Sequence, residues 1–315
     1  MDKFIGLIGL GYWGKNILRN LYELNVLRSA CDFDKRVIEE RRKDFPDVNY
    51  TQKIEDILQD QEITAVAIAT PAVTHYDLAK RALLSGKDVF VEKPMTVSLK
   101  EGEDLVKLAE ERGKILMVGH ILKYHPAVVK MEEMVKRGDL GDIMYIYSHR
   151  LNVGKVRTDE NAWWSLAPHD ISLILELTGG MPVKVYSQGF GFITKGIEDG
   201  VLAALEFESG IKAHIFVSWW HPFKEQKLVV IGKKGMIVFD DTTKEKLFLY
   251  PHKVEYNNGF PMAKKEEMQI IPVENEEPLK LELLHFIECV KERKRPKTDG
   301  YEGLRVLKIL EQVMG

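Results

Sequence analysis

The first 120 residues alternate between short apolar runs and longer segments in which apolar residues recur every three or four positions. The apolar runs lie near residues 4–8, 26–31, 63–69, 88–92 and 114–119, and their β-branched character predicts strands covered on both faces. The segments between them have the spacing of amphipathic helices, as in THYDLAKRALLSG, where Gly86 follows the last turn. Strand and helix in alternation predict a doubly wound parallel sheet.

The pattern changes after about residue 125. A helix over HPAVVKMEEMVKRG is followed by long runs of strand character, among them DIMYIYSHRLN, GVLAALEFESG and IKAHIFVSWW. Short turns that contain glycine, such as ESG and KKG, join several of these runs and favour antiparallel pairing. One helix over PHDISLILELTGG interrupts the strands, and two helices at about 278–293 and 301–313 end the chain.

We therefore predict an α/β protein with two domains. The first, residues 1–122, holds the parallel sheet, and the second, residues 123–315, is an α+β domain with a large, open, mostly antiparallel sheet and helices on one face. Alternating apolar residues on so wide a sheet expose an apolar patch too large for a monomer. We expect a homodimer or homotetramer that buries the open side of this sheet.

A glycine motif, GLGYWG, joins the first apolar run to the first helical segment. Gly9 allows a tight turn, Gly11 lets backbone N–H groups approach a pyrophosphate, and Gly14 lets the helix pack close to the strand. Tyr12 and Trp13 complete the loop, and the helix N-terminus then faces the anion. Strand, glycine loop and helix in this order predict a dinucleotide-binding domain of the Rossmann type.

An acidic residue ends the second predicted strand at the distance such a domain requires. Asp32 lies 23 positions after Gly9, where a carboxylate can accept hydrogen bonds from an adenosine ribose. Proteins that bind NADP often have a basic residue directly after this acidic position, where it contacts the 2′-phosphate. This chain has Phe33 there, although Arg36 is close enough in the sequence to play that part. The expected cofactor is NAD, and NADP is less favoured. The alternative for Asp32 is a solvated loop carboxylate or a helix cap.

Composition excludes several classes of function. At 315 residues, with 45% apolar content and a net charge of −3, the chain is typical of a soluble protein. The sequence shows no cluster of basic residues that would indicate nucleic-acid binding. Cys31 and Cys289 lie far apart, and no motif of histidines, cysteines or carboxylates predicts a metal site. Because the chain enters its first strand at once and has no apolar run of membrane-spanning length, we expect a cytoplasmic protein with no membrane partner.

The segment AIATPAVTHYDLAKRALLSGKDVFVEKP, from Ala67 to Pro94, resembles the signature of the Gfo/Idh/MocA oxidoreductase family. The glycine motif, VGHILKYHPAVVKMEEMVKRGDLGDI and the C-terminal segment from PLKLELLHF onward also look like that family, so the resemblance covers the whole chain. The matching signature positions are Thr70, Pro71, His75, Gly86, Lys87, Glu92, Lys93 and Pro94. The resemblance implies cofactor contacts at Thr70, Pro71, His75, Glu92 and Lys93; for His75, a packing or capping role carries equal weight.

Lys93 is the first catalytic candidate. In the family that it resembles, the lysine of the EKP tripeptide lies at the nicotinamide and contacts the hydroxyl group that is oxidised. An ammonium group beside the reacting oxygen stabilises developing alkoxide character and makes loss of the hydroxyl proton easier. The alternative is a surface lysine that ends a strand.

His169, in WWSLAPHDISLILELTGG, is the second catalytic candidate. An imidazole titrates near neutrality and can accept the hydroxyl proton. The family usually shows D-x-x-x-H-x-x-D here, but Ser165 and Ser172 occupy the two acidic positions and Asp170 follows His169 directly. A two-residue relay therefore lacks its first aspartate, and His169 alone takes the proton. The alternative is a structural hydrogen bond at the start of a helix.

Further polar and aromatic side chains are candidates for substrate binding. For His120 and Tyr124, after the last parallel strand, a packing role carries equal weight. Arginines of the loop RLNVGKVRTDE can read phosphates and a tryptophan after it can stack on a sugar or base, whereas the alternative is a solvated loop beside core aromatic residues. The loop contains Arg150, Asn152, Lys155 and Arg157; the substrate-binding candidates are Lys93, His120, Tyr124, Arg150, Asn152, Arg157, Trp164 and His169.

The predicted function is NAD-dependent oxidation of a secondary hydroxyl group of a sugar. The segment from RLNVGKVRTDEN to WWSLAPHDIS resembles enzymes that oxidise the 3-hydroxyl of UDP-N-acetylglucosamine, which implies a nucleotide-sugar substrate. A dehydrogenase of free sugars or inositols is the alternative among enzymes. A non-catalytic regulator that senses NAD is the alternative from another class.

Overall fold

The computed structural model describes residues 3–154, 156–158 and 160–314. Its internal contacts divide the chain into two compact units. The first unit comprises the residues up to Ile121 together with Glu277–Lys308, and the second comprises Leu122–Glu276 together with the residues from Ile309 onward. Each unit contains a large sheet of its own.

The first unit is built on a parallel sheet, which confirms the predicted Rossmann architecture. Within the described residues the strand order is β3-β2-β1-β4-β5-β6, so the chain reverses direction across the sheet between β1 and β4. This reversal brings the loops after β1 and β4 to the same edge, the usual position of a ligand in such folds. The strands are β1 (Ile5–Ile8), β2 (Leu27–Cys31), β3 (Asn49–Thr51), β4 (Ala65–Ile68), β5 (Asp88–Glu92) and β6 (Leu116–Gly119).

Amphipathic helices connect these strands. The Asp34 carboxylate accepts the Arg36 N–H at 2.9 Å and the Ser98 hydroxyl accepts the Glu101 N–H at 3.2 Å, so each side chain caps the first turn of its helix. The helices are α1 (Gly14–Glu23), α2 (Lys35–Asp44), α3 (Ile54–Gln59), α4 (His75–Leu84) and α5 (Leu99–Glu111).

The sequence pattern did not predict β3. This strand has three residues, NYT, and lies at the edge of the sheet, where none of its residues is buried. An edge strand needs no apolar run, because one side of it faces solvent. Apolar periodicity therefore carries no signal for it.

The second unit holds helices and a wide sheet. Its helices are α6 (Pro126–Arg137), α7 (Ala162–Leu166) and α8 (Pro168–Thr178). Its strands are β7 (Ile143–Val153), β8 (Pro182–Phe190), β9 (Gly200–Phe207), β10 (Lys212–Ser218), β11 (Trp220–Gly232), β12 (Met236–Asp240), β13 (Leu247–Tyr250), β14 (Lys253–Asn257), β15 (Phe260–Lys264) and β16 (Gln269–Ile270). The chain ends in α9 (Pro278–Glu292) and α10 (Gly300–Met314).

The large sheet is mixed and mostly antiparallel, which confirms the predicted fold class. In the described residues its order is β16-β13-β12-β11-β7-β10-β9-β8, and β14 pairs with β15 in a separate hairpin. The predicted turns ESG and KKG join the antiparallel pairs β9–β10 and β11–β12. The pair β7–β10 is parallel, because a long connection through two helices and two strands separates these strands in the chain. The sequence pattern missed the exposed hairpin β14–β15 and the short helix α7.

One face of this sheet is covered and the other is open. Helices α6, α7 and α8 contact β9, β10 and β12. In β9, buried Val201, Ala203 and Leu205 alternate with exposed Leu202 and Ala204, as expected when only one face of a strand meets helices. We call the side that carries Leu202 and Ala204 the open face.

The C-terminal helices differ from the predicted division of the chain. Residues 123–315 were assigned to one domain, but α9 and most of α10 belong to the first unit. The Phe286 ring of α9 packs against the Phe90 ring of β5 with 5.8 Å between centroids, and Arg293 donates to the Asp88 carboxylate at 2.6 Å. Helical periodicity identifies an apolar face without specifying which sheet covers it.

Candidate active site

The glycine loop follows β1, and each of its three glycines has a different structural role. Gly9 has a φ of 96°, a conformation that L side chains rarely adopt. A Cβ on Gly14 would lie 2.1 Å from the Gly9 carbonyl oxygen, so only glycine lets α1 start there. A Cβ on Gly11 would meet no atom within 4 Å among the described residues, so this part of the loop leaves backbone open to a ligand.

Asp32 is held beside this loop by backbone donors. Its carboxylate accepts the Leu10 N–H at 2.8 Å and the Asp34 N–H at 2.9 Å. Arg41 donates from Nε to the Leu10 carbonyl oxygen at 3.1 Å and so steadies the other side of the same residue. These contacts orient the carboxylate at the carboxyl end of β2, where a ribose is recognised in dinucleotide-binding folds.

Trp13 links the glycine loop to the EKP tripeptide. Its indole N–H donates to Glu92 Oε1 at 2.6 Å, across 79 positions of sequence. Tyr12 is 87% exposed, with the Lys15 ammonium group 5.5 Å from its ring centre. The two aromatic residues of the loop therefore differ in role, because one is a cross-link within the unit and the other presents its ring to solvent.

His75 fastens a second loop to the tripeptide. Its Nδ1 lies 2.8 Å from the Pro94 carbonyl oxygen and its Nε2 lies 2.9 Å from the Thr70 carbonyl oxygen. Burial lowers the pKa of His75, against the opposing effect of the two carbonyl groups. Thr70 also shares a hydroxyl hydrogen bond of 2.7 Å with Thr74, and Pro71 begins the short 3-10 turn that leads into α4. Both ring nitrogens of His75 thus contact backbone, and its predicted contact with cofactor stays a prediction.

Lys93 follows the last residue of β5, at the edge of the sheet that the glycine loop occupies. Ile8 pairs with Ile68, and Ile68 pairs with Val91, so the carboxyl ends of β1, β4 and β5 meet there. The Lys93–Pro94 peptide bond is cis. Burial raises the pKa of the neighbouring Glu92 to about 7, while its hydrogen bond from Trp13 and the charge of Lys93 act in the opposite direction.

Two further candidates are buried near the end of β6. His120 is 1% exposed, and its Nδ1 lies 2.5 Å from Glu302 Oε2 in α10. Tyr124 is also buried. These positions support a packing role as well as a functional one, so their predicted contacts with substrate stay predictions.

Arg150 lies in the second unit and is held by a buried carboxylate. Its Nε and Nη2 donate to the two oxygens of Asp170 at 2.8 and 3.0 Å, and Ser148 donates to the same carboxylate at 2.6 Å. Burial alone would lower the pKa of Arg150, but the Asp170 charge outweighs it and raises that pKa. The bidentate pair joins β7 to α8 and gives Asp170 a structural role beside His169.

His169 occupies the first turn of α8, directly after Pro168 and next to the buried Asp170. The Arg150–Asp170 pair therefore fixes the helix turn that carries the imidazole. Ser172, at one of the family's acidic positions, is buried in the same helix. Lys93 belongs to the first unit and His169 to the second, and their pairing across a substrate stays a prediction.

The remaining substrate candidates lie around β7 and α7. Asn152 is half-buried in β7, and Trp164 is half-buried in α7, where its N–H donates to the Asn161 side chain at 3.1 Å. Arg157 forms an ion pair of 2.8 Å with Glu160. Lys155 lies outside the described residues.

Comparison with known proteins identifies the chain by both of its halves. Residues 3–120 match the oxidoreductase family with an NAD-binding Rossmann fold, and residues 128–238 match the GFO/IDH/MocA C-terminal domain. The chain belongs to the Gfo/Idh/MocA family of oxidoreductases. The resemblance inferred from the EKP signature is thereby confirmed.

Relatives in the Gfo/Idh/MocA family act on several sugars and polyols. A UDP-N-acetylglucosamine 3-dehydrogenase from Acidithiobacillus ferrooxidans is 27% identical over 98% of this chain and 95% of its own length. A scyllo-inositol 2-dehydrogenase (NAD+) from Bacillus subtilis is 26% identical over 93% of this chain and 86% of its own. A solved structure of the Acidithiobacillus enzyme has a TM-score of 0.86 at 24% identity, covering 99% of this chain and 97% of that chain.

The first unit of this Gfo/Idh/MocA member fits a nicotinamide dinucleotide. The open backbone at Gly11, the oriented carboxylate of Asp32 and the first turn of α1, which has no side-chain cap, match the pyrophosphate and ribose of such a cofactor. Over the described part of the chain, no group of three histidine, cysteine or acidic residues is arranged to hold a metal ion. The same residues contain no helix with the length and apolar character needed to cross a membrane.

Sequence reasoning missed the partners that hold the site. Arg41 donates to the Leu10 carbonyl beside Asp32, and Ser148 donates to Asp170, the partner of Arg150. Glu282 feels the charge of Glu92, and Glu302 contacts His120. None belongs to a local motif. Only Glu302 had a usable signal in the sequence, because an acidic residue three positions after Asp299 has the spacing of a helix-capping pair. In the structure, the Asp299 carboxylate accepts the Glu302 N–H at 2.9 Å at the start of α10.

Proposed function

We propose that this protein is an NAD-dependent dehydrogenase that oxidises a secondary hydroxyl group of a sugar. The observation that carries the proposal is the convergence of three motifs in the first unit, the glycine loop, the Thr70–Pro71 turn and the EKP tripeptide. The Trp13–Glu92 and His75–Pro94 contacts join them at the carboxyl ends of β1, β4 and β5. A catalytic lysine on such an edge lies where the reactive end of a dinucleotide binds in related folds.

Lys93 polarises the substrate hydroxyl in this proposal. A bound nicotinamide supplies the acceptor for the hydride that leaves the carbinol carbon. The lysine ammonium group stabilises the negative charge that develops on the hydroxyl oxygen as its proton departs. The cross-links from Trp13 to Glu92 and from His75 to Pro94 brace the residues on both sides of Lys93.

His169 accepts the hydroxyl proton. It is the histidine of the family motif, and it stands in the first turn of a helix braced by the Arg150–Asp170 ion pair. Ser165 and Ser172 occupy the two positions where the family motif has aspartates. His169 therefore has no carboxylate at either motif position to share the proton with. The prediction that His169 acts alone is therefore specific to this chain.

The preferred substrate class is a nucleotide sugar, with oxidation at the 3-hydroxyl of UDP-N-acetylglucosamine or a related compound. The similarity to a UDP-N-acetylglucosamine 3-dehydrogenase along nearly the whole chain supports this choice. The decisive experiment mixes the protein with NAD+ and a panel of nucleotide sugars, free sugars and inositols, and records the absorbance of the reduced cofactor. Turnover of UDP-N-acetylglucosamine well above that of free N-acetylglucosamine is the expected result.

A free sugar or inositol is the second candidate, and one observation favours it. Arg150 is committed to Asp170, and Arg157 is paired with Glu160, so neither arginine presents an uncompensated charge to a diphosphate. Higher turnover of free sugars or inositols than of nucleotide sugars would favour this candidate. Tight NAD+ binding without turnover of any compound in the panel would instead favour a non-catalytic, NAD-sensing regulator.

NAD is proposed as the cofactor in preference to NADP. The Asp32 carboxylate suits a free ribose 2′-hydroxyl and repels a 2′-phosphate. Arg36 is paired with Asp34 at 2.9 Å. Titration with both oxidised cofactors tests the preference, and equal affinities would remove Asp32 as its cause.

We also propose that the protein works in the cytoplasm as a homodimer or homotetramer. The open face of the large sheet supports self-association because it carries exposed Leu202 beside a group of ring side chains that contact one another. Across its strands, Phe216 lies opposite Leu202 and His149, while His214 lies opposite Ala204 and Tyr147. A second copy of the same face is a partner of matching character.

A further inference from the structure

Glu282 is a buried carboxyl group that the proposed chemistry does not use. It lies in α9 with 0% of its surface exposed, and neither carboxylate oxygen has a hydrogen-bond partner among the described residues. A buried and unpaired carboxylate is costly, whereas the neutral acid is much less so. Burial, together with the charge of Glu92, raises the pKa of Glu282 well above its usual range.

The packing of α9 against β5 brings Glu282 to the catalytic tripeptide. Phe286 of α9 contacts Phe90 of β5 with 5.8 Å between ring centres. Glu92 lies two residues beyond Phe90 on the same side of the strand, and Glu282 lies one helical turn before Phe286 on the same side of the helix. The two acids therefore belong to one strand–helix contact, in the first unit.

Glu92 has little room and few polar neighbours. It accepts the Trp13 indole N–H at 2.6 Å and the Lys93 backbone N–H at 3.3 Å. On β6, a Cβ at Gly119 would lie 3.0 Å from Glu92 Oε2, so the carboxyl group lies close against this strand. Among the described residues, the charge of Lys93 acts on Glu92 and the charge of Glu92 acts on Glu282, while Trp13 and Gly119 are neutral neighbours.

We propose that Glu92, half-buried at the end of β5, and the buried Glu282 form an acid pair in which Glu282 keeps its proton throughout the neutral range while Glu92 gains or loses one, which sets the charge beside Lys93. With Glu92 ionised, its charge stabilises the Lys93 ammonium group. With Glu92 protonated, that support is withdrawn. Both acids are positioning residues for Lys93. The effect on Lys93 rests on the proposed function, whereas the protonation of the pair does not.

Infrared spectroscopy of the protein without cofactor tests the proton on Glu282. At about pH 8.5 ordinary carboxyl groups are ionised, so a remaining absorption of protonated carboxyl reports a buried acid. We expect the wild-type protein to show this absorption, Glu282→Gln and Glu282→Met to lose it, and the control Glu288→Gln, on the exposed side of α9, to keep it. Its absence from the wild type, or its survival in a folded Glu282 variant, would overturn the proposal.

Tryptophan fluorescence tests the ionisation of Glu92, because the Trp13 indole donates directly to it. We expect emission to change with a midpoint near the Glu92 pKa of about 7, and the change to disappear in Trp13→Phe and in Glu92→Gln. Glu282→Gln should keep the midpoint, since a neutral amide replaces a neutral acid. A midpoint lowered by about one pH unit or more would mean that Glu282 is charged, which contradicts the proposal.

Turnover tests the coupling to Lys93 once a sugar substrate is in hand. We expect kcat to rise with pH through about 7 in the wild type and to lose this step in Glu92→Gln, with a smaller change in the KM for NAD+. A wild-type profile without the step would overturn the coupling. If no sugar is turned over, the proposed function fails, and the infrared and fluorescence results still decide whether the acid pair exists.

Discussion

Lys93 is the side chain on which the proposed chemistry depends. We expect Lys93→Ala to lower kcat by about a hundredfold to a thousandfold, because the variant lacks the cation that stabilises charge on the reacting oxygen. Affinity for NAD+ should remain within a few-fold of the wild type, since the glycine loop and Asp32 are unchanged. Steady-state kinetics and fluorescence titration with the cofactor measure the two effects.

Lys100→Ala is the matched control for Lys93→Ala, because Lys100 is an exposed lysine in the segment that follows the tripeptide. It should retain wild-type turnover. Comparable activity in Lys93→Ala and the wild type would remove the lysine from the mechanism.

At the scale of single residues, type and spacing predicted candidate side chains more readily than their partners. Asp32 was inferred from its distance to Gly9, and the structure adds the two backbone N–H groups that orient it. Arg150 was inferred as a phosphate reader, but the structure pairs it with Asp170. A guanidinium group has the same chemistry in either setting, so only the fold determines which anion it meets.

Between elements, the glycine loop and α1 give a sharp test of local packing. Gly14→Ala would place a Cβ 2.1 Å from the Gly9 carbonyl oxygen, so the loop and helix must move apart. We expect a loss of about 2–3 kcal/mol in the free energy of unfolding, together with weaker NAD+ binding. Chemical denaturation and cofactor titration provide the measurements.

Gly11→Ala is the companion variant, because its Cβ would meet open space. It should change the free energy of unfolding by about 0.5 kcal/mol or less and still weaken NAD+ binding, since the methyl group occupies space meant for the pyrophosphate. Equal NAD+ affinity in Gly11→Ala and the wild type would argue against this loop as the cofactor cradle.

An ion-pair cluster ties α8 to α6 and to the chain segment before α6. Glu176 accepts from Lys123 at 2.7 Å and from Lys136 at 3.1 Å. Burial alone would raise the pKa of Glu176, but the two lysines outweigh it and lower that pKa to about 2. Because the pKa is depressed on folding, the stabilisation is present above about pH 4.5 and is lost as the pH falls toward 2.

Glu176→Gln should therefore lower the free energy of unfolding by about 2 kcal/mol at neutral pH and by much less near pH 2. Denaturant titrations of both proteins across this range test the prediction. A difference that stays constant with pH would assign the effect to packing instead of charge.

Regular elements with apolar periodicity were predicted from the sequence, and the exceptions share a cause. Strand β3, the hairpin β14–β15 and the five-residue helix α7 were missed because they are short, exposed or both. Such elements are stabilised by contacts with neighbouring strands and helices. Their own sequences therefore need no regular alternation of apolar and polar residues. The ends of the long strands also differ from the predicted ends. Pairing between β7 and β11 decides where each strand ends, and a single strand's sequence does not contain that information.

At the scale of the whole molecule, the open face leads to a prediction about assembly. We expect the protein to sediment as a dimer or tetramer, and Leu202→Glu to shift it toward the monomer, because an additional carboxylate would be buried between the two copies. Analytical ultracentrifugation at several concentrations measures the change. Leu84→Glu, at an exposed leucine of α4, should leave the assembly intact.

A monomeric wild-type protein at micromolar concentration would contradict the proposed role of the open face. Assembly that persists in Leu202→Glu but is lost in Leu84→Glu would move the interface to the first unit.

The sequence by itself determined the doubly wound sheet, the glycine loop with Asp32 and the EKP signature, because each is a local pattern whose spacing is set by backbone geometry. The tertiary structure decided which distant groups meet. It placed α9 against β5, Glu282 near Glu92, Glu302 on His120 and Asp170 on Arg150. These contacts join residues far apart in the chain, and they depend on which faces of helices and sheets are buried together, which periodicity alone does not specify.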